Sequence, residues 1–180
     1  MVYMLLGTGL EEMEAVVPLD ILRRADIPVQ TVGIAGNSVR GSHDICIEAD
    51  ITLDQMDLTT LEMIIVPGGR DGVAAISNSS EAMSALKFAW ENRKFVAAIC
   101  AGPSVLASLG ITDGKNATCY PGWEPKMGSA NMVADTACIR DGNLITGTSA
   151  GCSLPFGLAL VEALRGSDAA KAVAELMVIR

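Results

Sequence analysis

Hydrophobic positions along this chain fall into short unbroken runs. Val2–Leu6, Met63–Val66 and Phe95–Ile99 are apolar throughout, and each closes on small or turn-forming residues. Runs of this kind mark strands buried on both faces, so they predict a parallel sheet. Residues 29–34 read as a further strand, and 38–53 as a small β excursion around Gly41 and Asp44. Helical spacing appears between the strands. Residues 11–25 carry Val16, Leu19 and Leu22 on one stripe, with Arg23 and Arg24 set against the dipole at the helix end. Pro18 lies inside that stripe and predicts a distortion near residues 14–18. Residues 80–90 read as a helix with Met83, Leu86 and Trp90 inward, and 101–109 as a short helix. A strand at 117–120 and a helical turn at 123–127 follow. Asp141-Gly142 then signals a hairpin between 136–140 and 143–146. Helices at 154–164 and 169–177 close the chain. Alternating strands and helices predict one α/β domain over residues 1–180, a mostly parallel sheet with helices on both faces.

Composition sharpens this picture. Half of the residues are hydrophobic but only 4% are aromatic, so the core is aliphatic, as buried parallel strands require. Thirteen basic against 21 acidic residues give a net charge of −8, which argues against nucleic acid and anionic membrane as partners. Five cysteines, an odd number with no Cys-x-x-Cys spacing, point to a reducing compartment and away from a disulfide framework or structural zinc. Residues 1–6 lack the length and charged flank of a signal peptide, and no apolar stretch approaches the roughly 20 residues of a membrane span. A soluble, cytoplasmic protein is expected.

Three turns follow buried strands and should meet at the carboxyl edge of the sheet: residues 7–14, 67–71 and 100–103. In the last, Cys100 stands between a hydrophobic strand and a helix, with Ala101 and Gly102 beside it. A nucleophile held on a strained elbow needs such small neighbours. A helix starting near Ala101 would aim its amides at the sulfur and favour a thiolate. The plain alternative is a small buried hydrophobe. Glu11, Glu12 and Glu14 open the first helix, where acids favour the dipole in any case. Glu14 lies one turn in, before Ala15-Val16-Val17; turned inward it would lose solvent, hold its proton and donate to a neighbouring thiolate. An amide from Pro67-Gly68-Gly69-Arg70 could serve an oxyanion hole, although such a turn is commonly just a loop.

Glu11-Glu12-Met13-Glu14, Val66-Pro67-Gly68-Gly69 and Ala98-Ile99-Cys100-Ala101-Gly102-Pro103, in this order, resemble the ThiJ/PfpI superfamily, in particular its protein deglycase branch. Residues 20–25 and 160–164 extend the resemblance over essentially the whole chain. It implies a flavodoxin-like three-layer sandwich that forms a homodimer. It further implies an oxidisable nucleophile at Cys100, a protonated Glu14 beside it, and oxyanion amides from Gly69 and Ala101. The implied activities need no cofactor: conversion of glyoxals, removal of early glycation adducts, redox sensing and chaperone action. Substrates would be small aldehydes or glycated groups. Peptidase and amidotransferase relatives rank lower, since Ala101 stands where the former carry histidine and His43 is the only histidine.

Two departures matter. Tyr120 occupies a position where many relatives have histidine, offering a hydrogen-bond donor but a poor base. Residues 147–152 replace a Gly-Pro-Gly style segment and bring in Cys152, as a packed residue or as a resolving thiol. Gly68, Tyr120, Cys152, His43 and Arg24 complete the set expected around the site. His43 reads as a solvated turn residue beside Asp44, with a basic residue reaching toward a partner subunit's site as the alternative. With a single histidine and no ligand spacing, no metal centre is expected.

Overall fold

The computed structural model describes residues 1–179. The strands are β1 Val2–Leu6, β2 Val29–Gly33, β3 Ser38–Arg40, β4 Cys46–Glu48, β5 Ile51–Thr52, β6 Met63–Val66, β7 Phe95–Ile99, β8 Asn116–Ala117, β9 Asn131–Met132, β10 Cys138–Asp141 and β11 Leu144–Gly147. The helices are α1 Glu12–Arg24, α2 Arg70–Ser77, α3 Ser80–Glu91, α4 Pro103–Ser108, α5 Ser153–Arg165 and α6 Ser167–Leu176. Seven strands form the main sheet in the order β10-β11-β7-β6-β1-β2-β5. Every pairing in it is parallel except β10 with β11.

Alternate residues of the central strands feed two separate cores. Val2, Met4, Leu6, Ile65, Ala97 and Ile99 face the layer that contains Ile21, Phe156 and Leu160 of α1 and α5. Tyr3, Leu5, Ile64, Val66, Val96 and Ala98 face the opposite layer, with Ile76, Leu86 and Val105 of α2, α3 and α4. The result is the flavodoxin-like α/β sandwich. Burying strands on both faces explains why their sequences show no polar alternation. β1 leads to β2 on one side, whereas β6 leads to β7 on the other, so the strand order reverses between β1 and β6. Loops after β1, β6 and β7 therefore open onto one crevice at the carboxyl edge, where open sheets of this kind place their ligands.

Several local expectations are corrected. Helix α1 is continuous through Pro18, which is itself buried; the donor it lacks is the one that would have reached the Glu14 carbonyl. Its inward face is Glu12, Glu14, Ala15, Pro18, Ile21 and Leu22, while Val16 is 45% exposed. Helix α3 buries Ala82, Ala85, Leu86 and Ala89 fully, while Met83 and Trp90 pack against the same core only partly buried. Helix α2 was not legible, because Gly72 in its interior reads as loop. A Cβ there would fall 2.7 Å from the Leu10 backbone, so the glycine lets α2 lie against the turn after β1. The strand expected at 117–120 shrinks to β8. Its next donors leave the ladder: Thr118 N–H goes to Thr146 Oγ1 at 2.9 Å and Tyr120 N–H to the Cys100 carbonyl at 2.9 Å. Among the described residues no helix is long and apolar enough to cross a membrane.

Candidate active site

Cys100 directly follows β7 in a left-handed conformation, with φ +65°. A residue bearing a Cβ gives up on the order of 1 kcal/mol or more to stay there. Two backbone bonds hold it: its N–H donates to the Gly147 carbonyl at 2.9 Å, and its carbonyl accepts from Tyr120 N–H at 2.9 Å. The elbow turns the half-buried sulfur out of the sheet toward the amides of Gly69 and Ala101. Helix α4 begins only at Pro103 and has six residues, so it contributes less at the sulfur than a helix starting at Ala101 would.

Glu14 is 0% exposed, on the inward face of α1. Its Oε2 accepts from Gly68 N–H at 2.8 Å. Gly68 must be a glycine here, since a Cβ would collide with Glu14 Oε2 and stand 2.8 Å from the Cys100 Cβ. Gly69, at φ +89°, completes the turn and caps α2. The second carboxyl oxygen, Oε1, is the only buried side-chain nitrogen or oxygen among the described residues with no aligned hydrogen-bond partner. An unpaired buried oxygen of this kind is costly as a carboxylate and useful as a proton carrier.

Burial pushes the Glu14 carboxyl up to about 7, against the pull of the neighbouring Cys100 thiol and the Gly68 amide. Burial and the Glu14 carboxylate push the Cys100 thiol up to about 12, against the amides of Ala101 and Gly69. The resting thiol is thus not acidic, which corrects the sequence expectation. The low-dielectric setting that keeps a proton on Glu14 also disfavours the thiolate, and two adjacent negative charges disfavour each other. Sulfur and carboxyl lose their protons as a pair, and between about 7 and about 12 the pair holds one proton.

A cleft of about 180 Å³ opens over the sulfur, lined by Gly69, Arg70, Cys100, Ala101, Tyr120 and Trp123. Pockets for drug-sized ligands span roughly 300–1,000 Å³, so this one suits a reacting group of a few atoms. A roomier apolar cavity of about 470 Å³ lies by Leu53, Met56, Leu58 and Phe88, away from the sulfur. Arg70 and Trp123 were missed as lining residues. Arg70 directly follows the glycine turn, which was a readable signal; Trp123 arrives through the loop after β8, which was not.

Cys100, Glu14, Gly68, Gly69, Ala101 and Tyr120 are brought together. The other expected residues are not. Arg24 ends α1, ten residues and about 15 Å of helix beyond Glu14, paired to Asp20 at 2.7 Å. Cys152 lies at the start of α5, outside the cleft lining, 3.7 Å from Ser149 Oγ. His43 sits exposed on the turn between β3 and β4, as expected, and is bonded to Glu12: its N–H donates to Glu12 Oε1 at 2.7 Å and Nδ1 is 2.9 Å from Oε2. Burial would raise Glu12, but the His43 ring and nearby amides outweigh it and hold the carboxyl at about 2. The hydrogen bond to Glu12 raises His43. Glu11, Glu12 and His43 bring possible ligand atoms within 4.8 Å of one another, a grouping invisible in sequence because the turn comes 31 residues after Glu12. Their mutual pairing already accounts for it.

Residues 1–163 match the DJ-1/PfpI family. The chain belongs to that family. It is 35% identical to Protein dj-1beta of Drosophila melanogaster over 177 residues, covering 97% of this chain and 95% of that one. The crystal structure of the same fly protein superposes with a TM-score of 0.94 at 34% identity, covering 99% of this chain and 97% of the other. A Parkinson disease protein 7 homolog of Danio rerio is 35% identical over 98% of this chain and 95% of its own. A deglycase of Pyrococcus horikoshii is 27% identical over 81% of this chain and 87% of its own.

Proposed function

We propose that this DJ-1/PfpI protein is a cofactor-free thiol enzyme acting on small α-oxoaldehydes, or on the glycation adducts they form. The single observation that carries the reading is the Glu14–Cys100 pair, a buried carboxyl with an unpartnered oxygen interacting with the thiol. Its membership of a family that includes a deglycase supports it.

The proton count makes the chemistry specific. Above about 7 Glu14 is a carboxylate next to a protonated thiol, so it takes that proton as sulfur adds to the aldehyde carbon. Glu14 returns the proton to the new oxyanion, which the Gly69 and Ala101 amides hold, and a hemithioacetal results. The same carboxylate then removes the proton from the thioacetal carbon and delivers it to the adjacent carbonyl carbon through an enediol. A thioester of the hydroxy acid forms, and water releases it with the thiol regenerated. No electron leaves the system, so no redox cofactor is required. Methylglyoxal should yield lactate without additives, with kcat/KM rising as pH passes through about 7 and Glu14 ionises. Absence of lactate, or a rate flat across that range, would sink the proposal.

The alternative is a redox sensor that oxidises Cys100 to a sulfinate held by protonated Glu14. Thiolate is the form that attacks peroxide, and a thiol held up at about 12 reacts slowly, which favours the enzyme.

A homodimer is part of the proposal. Met13 and Val16, one turn apart on α1, are 52% and 45% exposed, and Ile45 on the adjoining hairpin is 56% exposed. Aliphatic groups this open on one face suit an interface between copies. Sedimentation velocity should show a dimer that Val16→Arg converts to monomer with lactate formation lowered; an unchanged dimer would place the interface elsewhere.

A further inference from the structure

Two of the remaining thiols are brought together by the fold, although neither belongs to the cleft. Cys138 pairs across the β10–β11 ladder with Gly147. Directly opposed residues of an antiparallel pair project on the same face of the sheet. That face is fixed by Gly147, where a Cβ would fall 3.0 Å from the Phe156 ring, so Cys138 points into the α5 layer and packs against the core that contains Phe156. Cys152 precedes Phe156 by four residues and caps α5, which puts it one turn away on the stripe of Phe156. Each cysteine is half-buried and free. Their proximity also appears in titration: burial, with Cys152 adding to it, pushes Cys138 up to about 12.

We propose that Cys138 and Cys152 form a reversible disulfide that latches β10 to the start of α5 when the protein meets a hydroperoxide. Cys152, at the loop junction, reacts first. Its sulfur takes one peroxide oxygen, the other leaves as water from hydrogen peroxide or as the alcohol of an organic hydroperoxide, and a sulfenic acid remains. The Cys138 sulfur displaces that oxygen as water, which takes up the Cys138 proton. Two thiols lose two hydrogens in total, and the hydroperoxide is the two-electron acceptor. Because Cys138 holds its proton tightly, closure quickens as pH rises. The latch encloses the segment that contains Gly147, whose carbonyl holds the Cys100 amide. Oxidation at the latch is therefore felt at the elbow without touching Cys100.

The experiment is peroxide treatment of the full chain, blocking of free thiols with N-ethylmaleimide, and non-reducing tryptic mass spectrometry. Trypsin separates Cys138 in peptide 127–140 from Cys152 in peptide 141–165, and both from Cys100 in peptide 95–115. A linked 127–140/141–165 species two hydrogens lighter than its parts is expected. The melting temperature should rise by roughly 5 °C, fall back with dithiothreitol, and stay fixed in Cys138→Ala. A link between Cys100 and Cys152, sulfinate at Cys152 with Cys138 alkylated, or no linked species would each overturn the latch. None of these readouts depends on turnover of an aldehyde.

Discussion

Replacing Cys100 with serine is expected to lower kcat/KM for methylglyoxal by about 10³-fold or more, close to 4 kcal/mol of transition-state stabilisation. A serine hydroxyl fits the elbow and keeps both backbone bonds, to Gly147 and from Tyr120. It cannot pass its proton to Glu14, because an alkoxide in this buried setting is far less accessible than a thiolate. The melting temperature should change little, which separates lost chemistry from lost fold. The comparison is made by following lactate in parallel with thermal unfolding. Serine activity equal to wild type would mean that Cys100 is a packing residue and that the proposed mechanism is wrong.

Glu14→Gln is expected to cost activity while adding stability, and the sign of the second effect depends on pH. Burial raises Glu14 from 4.5 to about 7 in the folded chain, so the fold favours its protonated form. Relative to the unfolded chain that preference costs nothing below about 4.5. It grows as pH rises from there to about 7, and above about 7 the whole penalty is present. At 1.36 kcal/mol per pKa unit the penalty reaches about 3 kcal/mol. Glutamine removes it. Its carbonyl can still accept from Gly68 N–H, while its amide takes the place of the unpaired Oε1. Urea titrations should therefore show the variant more stable than wild type by about 2–3 kcal/mol at pH 8 and equal to it near pH 4. Activity should fall about 10²-fold or more, since an amide cannot shuttle a proton. A variant no more stable at pH 8 would show that Glu14 is not held in the state described.

Particular residues show how far the sequence could be read. The turn at 100–103 announced an elbow because a lone cysteine among alanine and glycine, straight after a buried strand, has few other geometries. Inward-facing Glu14 was readable from its place one turn into α1. The stripe of that helix held at Leu19 and Leu22 but failed at Val16, which looked like core while Glu12 and Glu14 took inward stations. Hydrophobicity alone cannot anticipate a helix that buries carboxyls. The solvated histidine turn was read correctly, but its partner was not visible: Asp44 is adjacent in sequence, whereas Glu12 is adjacent in space.

Sequence alone determined the parallel sheet and the three turns that meet at its edge. Short apolar runs ended by small residues and separated by helical stretches suit strands buried on both faces, and parallel pairing brings their carboxyl ends to one edge. Only the tertiary structure decided the protonation of the Glu14–Cys100 pair, the partner of His43 and the approach of Cys138 to Cys152. Those outcomes depend on desolvation and on distances between residues remote along the chain, which local pattern does not encode.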